Sequence, residues 1–397
     1  MTLFLSKERN RWLAALLVTA LLLTVTYLCS DVVYQTNDDN AIVAAASGGV
    51  TGAPYAGNGF TSYLYGAFLA WLYGALPGVP WHGLLLTAIQ ALCLTALCRS
   101  ALYLCIQKRL SPLWGLAGFI ALYAGVGVKF MTYLQFTATP GYCACALAAL
   151  LWTLPDGKRA RVFACATGFG AMAFGLLLRL KGGLLALPVP LMVGVIKGLQ
   201  PGKQRRAALL CTAAVLVFTA GAWALDGALY RANEPGWPEQ EAFDEASAVL
   251  LDYHNTDETY ALALRATDWS PELIQCVRNW SLLFDQRFNT ENLNRLAEAV
   301  RQSESAPSFK EIALKTGSVL RRYSECRWNA LALFLLSLGT LVALFRARRW
   351  QPTLLLAGLA VSLLAVIALF YGYLNRLPDR VAFAYAWPVY GVAFLLF

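Results

Sequence analysis

Two adjacent carboxylates, Asp38 and Asp39, sit in the run Thr36-Asn37-Asp38-Asp39-Asn40, a few residues beyond a long apolar stretch. The whole segment 31–80 around them holds no Lys or Arg. A carboxylate beside a hydroxyl can act as a general base, and that is the chemistry these residue types offer. Neighbours on a helix point about 100° apart, so one of the pair at most faces a given substrate. Glycines follow (Gly48, Gly49, Gly52, Gly57, Gly59), then Phe60, Tyr63, Tyr65, Phe68, Trp71 and Tyr73. Acids beside flexible backbone and amphipathic rings at a water–lipid boundary read as a site. A solvated acidic connection would have the same composition, so the rest of the chain has to decide.

The elements that would position them are helices in a membrane. The chain has 397 residues, of which 58% are hydrophobic and 14% charged. Apolar runs on that scale mark a polytopic membrane protein. A helix needs about 20 residues to cross the hydrocarbon, and about ten segments qualify: 12–30, 81–105, 112–128, 136–154, 161–178, 182–198, 207–226, 329–345, 352–373 and 381–397. The first follows Lys7, Arg9 and Arg11, has no small-residue cleavage site, and is read as an uncleaved span.

The segment 60–76 is ambiguous, and charge bias places it. If it does not cross, Lys7, Arg9, Arg11, Arg99, Lys108, Arg109, Lys158, Arg159, Arg161, Lys197, Lys203, Arg205, Arg206 and Arg346, Arg348 and Arg349 all fall on one side. The positive-inside tendency makes that side cytoplasmic, with the N-terminus. The segment 60–76 is then an interfacial helix within an acidic first outer loop, 31–80. The short outer loops also hold Lys129, Arg179, Lys181, Arg376 and Arg380, although basic residues are disfavoured there. They either snorkel to lipid headgroups or converge on a phosphate-bearing ligand. The close pairs Arg179/Lys181 and Arg376/Arg380 favour the second reading.

Residues 1–226 form a membrane domain, 227–328 a polar helical domain on the extracytoplasmic side, and 329–397 the C-terminal membrane helices. The polar domain carries eleven basic and sixteen acidic residues, −5, against +14 for the remainder, which together give the chain's +9. Positive charge therefore belongs to the membrane part, and nucleic acid is not a partner. Helical patterns run over about 240–253, 271–284, 291–303 and 308–323. Most cysteines lie in apolar runs as small hydrophobes. Cys276 and Cys326 stand in polar sequence, where they either pair or remain thiols. The last apolar segment reaches Phe397 without a polar tail, which reads as the mark of a shortened form.

Other chemistries lack their parts. There is no Gly-rich dinucleotide or Walker pattern. His82, beside Trp81 at an apolar helix start, reads as an interface residue, and His254 as a surface one. No acid lies mid-span, which disfavours proton-coupled transport.

The pieces resemble the GT-C superfamily of integral-membrane glycosyltransferases. They are Asn37-Asp38-Asp39-Asn40 after the first span, the interfacial segment 60–76, Arg179-Leu180-Lys181, and Asn375-Arg376-Leu377-Pro378-Asp379-Arg380 before the last span. The run 52–81, with Trp269-Ser270-Pro271, Asn279-Trp280 and Phe284-Asp285, is similar to bacterial membrane proteins of this kind. The resemblance implies a GT-C-like all-α fold in the plasma membrane. It also implies transfer of a sugar from a polyprenyl-phosphate-linked donor to a glycan or protein acceptor at the outer face. Asp38 or Asp39 would be catalytic, and Lys129, Arg179, Lys181, Arg376 and Arg380 would hold the lipid phosphate. A divalent metal, Mg or Mn, could bridge acid and phosphate, though no ligand set assembles from the sequence. An outer domain inserted between spans departs from many members. The alternatives are a non-enzymatic transporter, flippase or scaffold for lipid-linked glycans, and a polysaccharide polymerase or ligase.

Overall fold

The computed structural model describes residues 2–248, 251, 257–279, 286–303, 307–322, 350–373 and 377–396. The expected span 329–345, and Arg346, Arg348, Arg349, Arg376, His254, Trp280, Phe284, Asp285 and Cys326, lie outside them. The described chain is helical apart from one two-residue parallel pairing. It divides into two compact units, one of residues 1–229, 325–363 and 378–397, the other of 230–324 and 364–377.

In the first unit, α1 (Glu8–Cys29) leads through β1 (Val33–Tyr34) to α2 (Asn37–Ser47). Then come α3 (Tyr63–Ala75), α4 (Trp81–Gln107) and α5 (Pro112–Leu122), which continues as a π-helical turn to Gly127. After β2 (Tyr133–Leu134) follow α6 (Thr139–Trp152), α7 (Lys158–Leu178), α8 (Leu180–Ala186), α9 (Pro188–Leu199) and α10 (Arg205–Asn233). Among the described residues, five helices are long and apolar enough to cross a membrane: α1, α4, α7, α10 and the stretch Pro352–Phe370. The pair α8 and α9, bent by 42°, makes a sixth if it is one span, while α5 with its π turn and α6 are apolar but shorter. This is an all-α membrane protein.

The core of the unit is α6, buried over almost its whole length, with α4, α7, α9 and a late helix, Asp379–Leu396, around it. Small residues allow that density. A Cβ on Gly141 would come within 2.6 Å of the Ala384 carbonyl oxygen, backbone that cannot swing aside. Hydroxyls join helices in the apolar interior, Tyr142 donating to the Gly127 carbonyl at 2.5 Å and Thr26 meeting the Tyr123 hydroxyl at 2.7 Å. The αL residue Gly48 (φ 88°) ends α2, its N–H closing on Ala44 and Ala45 carbonyls. On α3, Tyr65, Gly66, Leu69 and Tyr73 are buried, while Leu64, Phe68 and Trp71 are exposed and the last two rings stack.

Arg99, counted from the sequence among the cations of the cytoplasmic side, does not reach water. It is fully buried, its Nε donating to Glu8 Oε1 at 2.6 Å and its Nη1 to the Thr153 carbonyl and hydroxyl at 3.0 and 2.8 Å. Its guanidinium also lies over the Tyr103 and Trp12 rings. Glu8, at the first turn of α1, also takes Arg11. The reason is desolvation, since a guanidinium in an apolar bundle needs a carboxylate and carbonyls to replace water.

The second unit has its own apolar core. Trp269, Leu273, Val277, Phe288, Leu293, Leu296 and Val300 are buried among helices α11 (Trp237–Ala248), α12 (Asp257–Ala266), α13 (Pro271–Arg278) and α14 (Thr290–Ser303). The helix α15 (Phe309–Arg322) also belongs to it. Ser270 caps α13 by accepting from the Leu273 N–H at 3.3 Å, as Pro271 at the first position favours. Asn292 ties two loops by donating to Asp268 at 2.6 Å and to the Arg287 carbonyl at 2.8 Å. The helix α12 was not expected from the sequence. The remaining helices are α16 (Trp350–Ile367) and α17 (Asp379–Leu396).

Replacing Glu8 by Gln leaves the Arg99 guanidinium buried without its counter-charge. We expect this to destabilise the protein by about 3 kcal/mol, read as a lowered unfolding midpoint in detergent. An unchanged midpoint would show that the Thr153 contacts suffice.

Candidate functional site

The site begins where α1 ends and α4 starts. Thr36, in extended conformation, opens α2, so Asp38 and Asp39 fall in its first turn, where the helix dipole favours carboxylates. The pairing Val33↔Tyr133 and Tyr34↔Leu134 aligns this entry with the strand leading to Gln135, Phe136 and α6.

Asp39 is fully buried and its two oxygens are occupied. Oδ1 faces His82 Nε2 at 3.2 Å and accepts from the Phe136 N–H at 3.1 Å, while Oδ2 accepts from the Thr36 hydroxyl at 3.0 Å. His82 is buried too, its Nδ1 lying 2.9 Å from the Tyr65 hydroxyl. Burial pushes the Tyr65 phenol well above its ordinary range, helped by Tyr34 and the Asp39 charge, so it keeps its proton and donates to Nδ1. Nε2 is then the N–H that donates to Asp39, a tautomer assigned from its partners. Tyr34, tilted against the His82 ring, is likewise pushed up to about 12, first by burial and then by Tyr73 and Asp39. His82 is therefore an interior residue, and the expectation of an interface position is corrected. An imidazole with two buried partners is better satisfied inside than at the boundary.

Asp38 is different. Its side chain is 35% exposed, and its Oδ2 lies 3.9 Å from Nη2 of Arg380, itself 27% exposed. Arg380 follows Asp379 in the first turn of α17, and Asp379 Oδ2 accepts from Lys129 Nζ at 2.8 Å. Two ion pairs, Asp38 with Arg380 and Asp379 with Lys129, thus involve neighbouring residues in the first turn of α17. Arg179, at the end of α7, donates to the Phe60 carbonyl at 2.6 Å and lies 5.0 Å over the Phe136 ring. Through Phe136 it adjoins Asp39.

Of the expected site residues, Asp38 and Arg380 face each other, Lys129 pairs with Asp379, the residue before Arg380, and Asp39 and Arg179 meet around Phe136. Lys181 is exposed and joins no ion pair among the described residues. Arg376 lies outside them. Among the described residues no group of three or more His, Cys, Asp and Glu side chains is disposed to hold a metal ion.

Sequence reasoning gave no individual site role to His82, Tyr65 or Asp226. Asp226, late in α10, accepts from the Tyr63 N–H at 2.7 Å and so holds the start of α3, where Ser62 also caps. Nothing in the spacing links His82 to Asp39, which lie 43 positions apart.

No family model and no curated protein sequence matches the chain. Among solved structures it is similar to ArnT from Cupriavidus metallidurans in the apo state, with TM-score 0.38 and 16% identity over 98% of this chain and 77% of that one. It is similar also to the same protein bound to undecaprenyl phosphate, with TM-score 0.36 and 16% identity over 97% of this chain and 76% of that one. At these values the likeness carries no residue or role across.

Thr36→Val removes one of the three donors to the Asp39 carboxylate while keeping the side-chain shape. It should lower stability by about 2 kcal/mol, measured by denaturant or thermal unfolding in detergent. A loss below a few tenths would mean that Oδ2 has another donor.

Proposed function

We propose that this chain is a membrane glycosyltransferase. It moves a sugar from a polyprenyl-phosphate-linked donor to a hydroxyl acceptor at the outer face of the plasma membrane, with the N-terminus cytoplasmic and 227–328 extracytoplasmic. The observation that carries this reading is the half-exposed Asp38 beside Arg380, with Lys129 and Asp379 next in line. A base and two cations within one such cluster are the minimum parts for displacing a phosphate from a sugar. The sequence resemblance to GT-C enzymes points the same way.

In this reading Asp38 is the catalytic carboxylate, because Asp39 has neither exposure nor a free oxygen direction. Asp38 takes the proton of the acceptor hydroxyl as that oxygen attacks the anomeric carbon. The bond from that carbon to the phosphate oxygen breaks, its electron pair stays on the phosphate, and polyprenyl phosphate leaves. Arg380 and Lys129 stabilise the growing negative charge, and Arg179, Lys181 and Arg376 are the further cations assigned to the phosphate in this reading. Arg380 binds as a planar fork and Lys129 as a point charge, so Arg380→Lys is not a silent change.

The direct assay is release of free polyprenyl phosphate from polyprenyl-phosphate sugars by the purified protein. Asp38→Asn should lower the rate about 100-fold or more with lipid binding retained. Arg380→Met should weaken polyprenyl-phosphate binding. Binding without release by the native protein, with any donor, would identify a lipid-linked-glycan carrier instead. Release confined to pyrophosphate-linked glycans would identify a polymerase or ligase.

A further inference from the structure

Asp38 and Asp39 share one helical turn, so whatever fixes Asp39 also fixes the direction of Asp38. Asp39 is held at both oxygens by groups from three segments: Thr36 ahead of α2, Phe136 after β2, and His82 at the start of α4. His82 is in turn held by Tyr65 of α3, and its ring packs against Tyr34 and Tyr65. The carboxylate therefore stands where the N-terminal turns of α2 and α4, the middle of α3's first turns and the β1–β2 pairing meet.

We propose that His82 and Asp39, with Tyr65 behind them, form a positioning relay that aims Asp38 at the acceptor. In this arrangement His82 and Tyr65 are positioning residues and Asp39 takes no proton from substrate. The inference rests on the transferase reading for its kinetic consequence alone.

Packing by itself does not account for the arrangement. A buried carboxylate held by hydrogen bonds contributes little net stability compared with apolar residues of the same volume. Its distinctive contribution is direction, because hydrogen bonds to both carboxylate oxygens leave the first turn of α2 no rotation. A displacement of the reacting group by about 1 Å can cost about 100-fold in rate. Asp38 is loosely paired, at 3.9 Å from Arg380, so that contact does not aim it.

Asparagine and glutamine separate the two halves of the imidazole. The glutamine amide reaches the Nε2 position and can donate to Asp39. The shorter asparagine amide reaches only the Nδ1 position and meets Tyr65 alone. The experiment uses the full chain in lipid nanodiscs, with native protein, His82→Asn and His82→Gln. It measures the rate of polyprenyl-phosphate release, polyprenyl-phosphate affinity, and hydrogen exchange at 37–40 and at the Phe136 amide.

His82→Asn should lower kcat about 100-fold with lipid affinity changed by about twofold or less, and exchange at 37–40 and Phe136 should rise about tenfold. His82→Gln should recover most of both. Equal losses in the two variants, or unchanged exchange at 37–40 in His82→Asn, would overturn the relay. A His82→Asn protein that exchanges faster yet keeps its kcat would also overturn it. If the native protein releases no polyprenyl phosphate while the exchange still separates the two variants, the transferase reading falls. The positioning of the α2 turn then stands.

Discussion

The carboxylate of Asp39 is out of reach of water, and much of the local architecture follows from that burial. A carboxylate removed from water costs several kcal/mol unless donors replace its hydration. The donors come from the Thr36 hydroxyl, the Phe136 amide and the His82 imidazole, and none of these can be supplied by α2 itself. The entry to α2, the strand before α6 and the start of α4 must therefore converge. The β1–β2 pairing is the backbone expression of that convergence. Tyr65 completes it by occupying the other imidazole nitrogen, which brings α3 against the same point.

The same rule governs the opposite ends of α1 and α4. There Arg99 is buried, and Glu8 of α1 supplies its counter-charge, with Thr153 at the end of α6 completing the set. The two charged clusters thus tie α1 and α4 together, one near the start of α1 and the other beyond its end. Between them the joints are hydroxyls and close glycine contacts, as expected where apolar helices have no hydrophobic drive to associate with one another. The charges of Asp38, Arg380, Asp379 and Lys129 stay partly exposed, where water or a ligand can still reach them.

Much of the site was legible before folding was considered. The absence of Lys and Arg around Asp38 and Asp39 marked the segment, and basic residues in short outer connections marked their possible counter-charges. Lys129, Arg179 and Arg380 were singled out because cations there contradict the charge bias of the other loops. His82 was misread, and the burial of Arg99 went unread, for one shared reason. A charged or polar residue in an apolar run looks the same whether it reaches water or finds a buried partner. Glu8 lies 91 positions from Arg99, and Asp39 lies 43 from His82. The helix α12 was missed because its amphipathic pattern is short; in the fold its Tyr260 and Ala263 are buried in a core shared with α14.

By itself the sequence determined that this is a helical membrane protein with a polar helical segment of its own, because hydropathy and charge bias act residue by residue. It also determined which acidic and basic residues lie near helix ends, since that depends only on position along the chain. The tertiary structure decided which of two adjacent carboxylates faces outward and which is held inside. That choice depends on donors arriving from His82 and Phe136, and whether they arrive is a property of the packed helices, which no spacing along the chain records.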